Sequence, residues 1–149
     1  LATTRFVRAE PVPGQPIVAD TVTRLVWQGC SHGQTGSQCD GAASFVDWKN
    51  SLAWCENLSW GGRDDWRLPN IIELHSLVAL DRSSPAIDVN VFPNTPHYGG
   101  GMTEQNAGQF WSSTARSYND FALYADFGSG FTHFYKQQEG RHVRCVTDP

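Results

Sequence analysis

At 149 residues, with 40% hydrophobic and 17% charged side chains, the chain is long enough for one core of ordinary size and too short for two comfortable domains. Its net charge of -4, with 11 scattered basic residues, excludes the clustered cations that counterion-release binding needs, so nucleic acid is not an expected partner. No apolar run approaches the roughly 20 residues of a membrane span, and no basic segment followed by an apolar one marks a signal peptide.

The chain starts at Leu1 without Met, so a leader or upstream domains are expected to have been removed. Six Trp, eight Phe and four Tyr stand beside 14 Gly and 8 Pro, which suits a loop-rich fold whose rings fill space that regular elements leave open. A single domain over 1–149 is expected, with residues 1–16 an extended lead-in because Pro11, Pro13, Gly14 and Pro16 disfavour helix. A strand follows over Thr23 to Gln28, with Leu25 and Trp27 on one face. Residues 29–43 read as a polar loop.

From about Asp47 to Leu58 the period turns helical: Trp48, Leu52, Cys55 and Leu58 or Ser59 recur at spacings of three and four, which turns Cys55 to the core. A second helix opens at Asn70, a good N-cap with Glu73 three residues on, and Ile71, Leu74, Leu77 and Val78 carry its apolar stripe to near Asp81. Pro85, Pro93, Pro96 and three consecutive glycines make residues 84–101 an irregular excursion. Beyond it Leu123, Ala125 and Phe127 alternate with Tyr124 and Asp126, a period of two that sends the first set inward and the second outward. Gly128 to Gly130 form a turn, Phe131 to Lys136 a returning strand, and His142 to Val146 a last strand with Val143 and Cys145 on the core face.

The four cysteines fit no metal-site spacing. Cys30 pairs with Cys39 across the polar loop and Cys55 with Cys145 across most of the domain, bridges contributing about 2.7 and 4.6 kcal/mol in the chain-entropy model. Such a framework belongs to an oxidising compartment, so an extracellular, cell-surface or periplasmic setting is expected.

No local signature of a nucleophile with its base, a metalloprotease or a phosphate loop occurs, and His32, His75, His97, His133 and His142 stand apart from one another. Asp64, Asp65, Asp81 and Asp88 lie on or beside loops where calcium ligands could gather, but without EF-hand spacing their expected work is capping and turn shaping, and Asp65 could pair with Arg67. No cofactor is expected, calcium being the one candidate. The window from Ser112 to Tyr135 carries Tyr118, Phe121, Tyr124, Phe131, Phe134 and Tyr135 among small polar residues, a binding-surface composition. Tyr118, Tyr124 and Tyr135 are the rings expected to be exposed.

The order of Leu25-Val26-Trp27-Gln28, Trp48 through Cys55, Asp65-Trp66-Arg67-Leu68-Pro69-Asn70 with Glu73-Leu74, Pro85-Ala86-Ile87-Asp88, Phe92-Pro93, Phe110 to Thr114 and Val143-Arg144-Cys145-Val146 resembles the Lcl C-terminal domain family, from about Val18 to Val146. Arg24 departs from it, standing where the family usually turns with Gly. The resemblance implies a C-type-lectin-like α+β fold, with two helices packed on a small, mostly antiparallel sheet. It also implies a secreted or surface adhesin-type module, in some members trimeric and binding sulfated glycans, a ligand the acidic balance here disfavours.

The chain is also similar to variable proteins of diversity-generating retroelements, in which Asn-codon adenines are randomised near the C-terminus. Such mutation never yields Lys, Glu, Gln, Met or Trp. These types number 22 in the chain, yet none falls in residues 112–135. Under that resemblance Trp111 to Thr114 and Val143 to Val146 are framework. Beginning at Arg116, the binding surface for a protein or glycan on another cell or particle then comprises Ser117, Tyr118, Asn119, Asp120, Phe121, Tyr124, Asp126, Ser129, Phe131, His133, Phe134 and Tyr135. The alternatives are an enzyme related to formylglycine-generating enzymes, which need reactive cysteines, and a trimerising cap of a surface protein.

Overall fold

A computed structural model describes residues 4–99, 102–116 and 120–149. The elements run β1 (Phe6–Val12), β2 (Gln15–Asp20), β3 (Val26–Gln28), α1 (Trp48–Glu56), α2 (Ile71–His75), β4 (Gln109–Ala115), β5 (Phe121–Asp126), β6 (Thr132–Lys136) and β7 (Val146–Thr147). The fold is mixed α+β and mostly sheet. Two small antiparallel sheets form, ordered β1-β2-β3-β7 and β4-β5-β6. The expectation of two helices on one sheet is therefore corrected.

The lead-in is not a loose extension but half of a hairpin. Pro13 and Gly14, the latter with φ 83°, turn β1 back onto β2, and the register slips between Ala9 and Val12 around Pro11, which has no N–H for the ladder. Arg5 locks the open end: its Nε and Nη2 donate to the two carboxylate oxygens of buried Asp20 at 3.0 and 2.7 Å. The next strand is shorter than its composition suggests, because Arg24 takes a left-handed φ of 67°. That conformation costs a non-glycine residue roughly 1–2 kcal/mol. Leu25 and Trp27 do share the core.

Asp47 caps α1 by accepting the Asn50 N–H at 2.9 Å, and Ser51 and Cys55 are buried. The capping box at α2 is complete, with Asn70 accepting the Glu73 N–H at 2.8 Å and Glu73 the Asn70 N–H at 2.9 Å. The helix ends at His75 rather than near Asp81. Leu77 and Val78 then donate backward by three residues, to Leu74 and His75, and Ala79 bonds across to Ala86; the stripe continues as turns. Residues 84–99 contain no helix or named strand.

Both predicted disulfides are present, with Cα atoms 5.2 Å apart for Cys30–Cys39 and 5.6 Å for Cys55–Cys145. The expected strand over His142 to Val146 is only partly a strand. The carbonyls of His142, Val143 and Cys145 accept from Trp111, His32 and Gln28 respectively, so this segment stitches the two sheets together before joining β3 as β7. Arg144 is fully buried within it, with no acidic partner among the described residues. Its Nη1 donates to the Gln28 carbonyl at 2.9 Å, and it lies over the Phe92 ring, while burial pushes its pKa down to about 9.

Two apolar clusters lie on either side of β4 and β5. One joins Phe110, Ala125 and Phe127 to Leu74 and Leu77; the other joins Trp111, Ala122 and Tyr124 to both disulfides, Trp60 and Trp66. No helix among the described residues is long and apolar enough to cross a membrane.

Candidate functional site

Alternation along β5 is as the sequence predicts, but its outward face is not outside. Trp111 stands opposite Tyr124 and Phe110 opposite Ala125, so each face of the sheet meets its own cluster. Tyr124 is consequently only 8% exposed, which corrects its expected exposure. The period of two identified the faces; it carried no information that both were covered. Leu123, expected inward, is half-buried.

β6 supplies the exposed surface. Its backbone pairs with β5 on one side only, and all five of its residues are exposed. Phe134 is 47% exposed, Tyr135 45%, and Phe131, at the strand's start, 66%. Cross-strand pairing sets Tyr124 opposite His133 and Ala122 opposite Tyr135 on one face, and Leu123 opposite Phe134 on the other. The displayed rings thus form two patches rather than one.

The Phe134 patch is completed by Arg116, half-buried, whose guanidinium lies 4.3 Å from that ring's centroid. Phe121, half-buried at the open end of the hairpin, touches both patches, 5.7 Å from Phe134 and 6.2 Å from Tyr135. On the other face exposed His133 lies 5.9 Å from Tyr124 and 6.3 Å from Phe131. Ser117, Tyr118 and Asn119 lie outside the described residues. Asp120 is exposed, and its carbonyl accepts from Gln137 at 2.9 Å.

Asp126 and Ser129 have structural work. Asp126 Oδ1 accepts the Gly128 N–H at 2.7 Å and the Ser129 N–H at 3.3 Å, and Ser129 Oγ accepts the Phe131 N–H at 3.3 Å. Asp126 therefore shapes the turn as an Asx residue does, and Ser129 stays exposed at its tip.

Beside Tyr124 and Tyr135 lies a feature absent from the sequence reading. Arg141, 5% exposed, places its guanidinium 4.3 Å from the Tyr124 ring centroid, 4.7 Å from Trp111 and 5.3 Å from Tyr135. Burial lowers its pKa, opposed by Tyr124, Glu139 and Tyr135, which favour the charged form. A cleft of about 470 Å³ opens here, lined by these two tyrosines, Arg141, Gln105, Asn106, Gln109, Glu139 and Gly140. The one signal for it was position, two residues before the Val143 framework; residue type alone could not bring Gln105 and Arg141 together.

The acidic loops offer no such convergence. Asp65 pairs with Arg63 at 3.3 Å rather than with Arg67, and Asp88 accepts the Asn90 N–H at 3.0 Å. Arg67 instead binds Glu73 at 2.7 Å and Asp148 at 2.9 Å. Among the described residues no group of three His, Cys, Asp or Glu side chains could hold a metal ion.

No curated protein matches the chain significantly. The family model described as the Lcl C-terminal domain matches residues 16–147, which takes in both disulfides, the capped helix and the whole hairpin surface, and the chain belongs to that family.

Proposed function

We propose that this domain is a non-enzymatic, C-type-lectin-like binding module that works outside the cytoplasm and uses the β5–β6 hairpin to contact a protein or glycan on another cell or particle. The observation that carries the reading is the exposure of Phe131, Phe134 and Tyr135 on and beside an edge strand whose five residues are all exposed. Large rings held out in water mark interaction surfaces, since they supply large contact area for little loss of side-chain entropy. Two disulfides suit an oxidising compartment. The enzyme alternative needs a reactive thiol, and all four cysteines are paired.

The variable-protein reading extends this proposal to Asp120, Ser129, Phe131, His133, Phe134 and Tyr135, all exposed, where side chains can change with little effect on the core. It predicts pyrimidine-ended codons there, with a near-copy of the segment rich in Asn codons close by; a gene lacking both removes it.

Binding is tested by screening the intact domain against a glycan array and a panel of purified surface proteins, then repeating any saturable interaction with Phe131→Ala and Phe134→Ala. Each substitution should weaken binding at least tenfold while changing stability by less than about 1 kcal/mol, as expected for a surface site. Tyr124→Ala should behave differently, destabilising by about 3 kcal/mol because a buried ring is lost. Equal destabilisation by all three would show that the rings serve the core, and overturn the proposal.

A further inference from the structure

Arg141 is a nearly sealed cation on which Glu139, in the same cleft, acts only through space. It takes part in none of the salt bridges among the described residues, and its Nε and Nη1 are buried without a hydrogen-bond partner. The rings of Tyr124, Trp111 and Tyr135 pack against it, and Tyr124 and Glu139 favour its charged form. The Arg141 backbone is not free to move toward a better partner. Its N–H donates to the Val46 carbonyl at 2.9 Å and its carbonyl accepts the Val46 N–H at 2.8 Å, while the Trp111 indole donates to the same Val46 carbonyl at 2.9 Å.

The energetic consequence is preorganisation. Folding has already stripped most of the water from this guanidinium, so an anion entering the cleft pays chiefly for its own dehydration and, bound along an edge that includes Nη2, gives a partner to one of the two unmatched donors. One wall adds neutral hydrogen-bonding groups. Asn106 Nδ2 is committed to the Gly140 carbonyl at 2.6 Å, leaving its Oδ1 as an acceptor, and Gln105 lines the same cleft.

We propose that the cleft between Tyr124, Tyr135 and Arg141 receives a single carboxylate group, with Arg141 as its counter-ion and the amides of Gln105 and Asn106 bonding the neutral body that carries it. A planar guanidinium matches a carboxylate edge. A polyanion fits poorly, because Glu139 lines the same cleft and the chain carries a net charge of -4. The proposal deepens the surface reading above, sharing Tyr135 with it.

The test is an NMR titration of the intact, isotope-labelled domain with N-acetylglycine, which mimics a peptide terminus, and separately with methyl glucuronide, an acidic sugar. N-acetylglycinamide and inorganic sulfate serve as comparisons. The expected result is a saturable shift of the Arg141 Nε–H and Trp111 indole resonances with at least one carboxylate, the tighter arm naming the source, and at least tenfold weaker binding in Arg141→Lys and Tyr135→Ala. Amide dispersion shows that each variant is folded; Tyr135→Ala, at a half-exposed position, carries the comparison if Arg141→Lys does not fold. No saturable shift with either carboxylate, or an equal or tighter response to the amide or to sulfate, overturns the proposal. Partner binding is judged with whole ligands and Phe134→Ala, and this cleft with small probes and the Arg141 resonance, so either reading can fail alone.

Discussion

His142 shows how one buried side chain sets a condition on the whole fold. Its ring lies between Phe45 and Phe110, with centroids 4.3 and 5.2 Å away, and its Nδ1 stands 3.1 Å from the Ser44 carbonyl. A carbonyl only accepts, so Nδ1 carries the proton and the buried Nε2 is left bare and unpartnered. Burial, with a smaller contribution from Arg144, pushes the pKa down to about 4 against the efforts of Ser44 and Glu104. Between that value and the ordinary 6.5 the unfolded chain binds a proton that the folded chain refuses. Stability from this group is therefore full above about pH 6.5 and lost as pH falls toward 4, by on the order of 3 kcal/mol. Urea unfolding at pH 7 and pH 4.5 should show the loss, and His142→Gln, which keeps a donor for Ser44, should flatten it. An unchanged slope in the variant would assign the acid sensitivity to other groups. Neither His142 nor Arg141 could be singled out from the sequence, because their properties come from what is packed around them. Cys55 was legible because helical spacing turned it inward, and Tyr135 because it stands in the aromatic-rich returning strand of the hairpin.

Elements were legible where a local rule governs them and misjudged where distant packing does. The capping box at α2 belongs to the first kind: Asn70 and Glu73 satisfy each other's N–H groups within three residues, and the pattern is written in the sequence. The end of the same helix belongs to the second, since Ala79 turns away to bond Ala86, whose own N–H reaches Phe127 on the far side of the excursion. Such a short helix depends heavily on its cap. Arg67 grips the Glu73 carboxylate at 2.8 and 2.7 Å and holds its pKa below the usual range, so the box keeps its charge into mild acid. Asn70→Ala should cost about 1–2 kcal/mol, read as a lower melting midpoint in thermal unfolding at neutral pH. Because Leu74 and Leu77 from this turn pack with Phe110 and Phe127, hydrogen exchange in β4 should rise with it. A loss confined to residues 70–76 would show that the element is not coupled to the sheet.

At the scale of the molecule, the two disulfides have different tasks. Cys30–Cys39 joins positions nine apart in sequence, and its neighbourhood is also held by Arg8, which donates to the carbonyls of Gly29 and Ser37, and by Asn94, which donates to the Cys39 carbonyl. Cys55–Cys145 spans 90 residues and ties α1 to the segment that stitches the two sheets together. Loop-closure entropy makes the long bridge worth about 4–5 kcal/mol and the short one about 2–3. The difference should show in paired substitutions. Cys30→Ser with Cys39→Ser should leave a folded domain of lower melting temperature that retains hairpin dispersion in NMR spectra, since the backbone pairing of β5 is with β4 and β6 and not with that loop. Cys55→Ser with Cys145→Ser should unfold the domain near neutral pH and ambient temperature, because the segment it frees also positions Arg141, His142 and Arg144, three side chains buried without full hydrogen bonding. Those groups are tolerated only while the surrounding packing holds, so the long disulfide and the Arg141 cleft should be lost together. A cleft that still binds its carboxylate probe after the long bridge is removed would mean that ring packing around Trp111, and not the cross-link, holds the guanidinium in place.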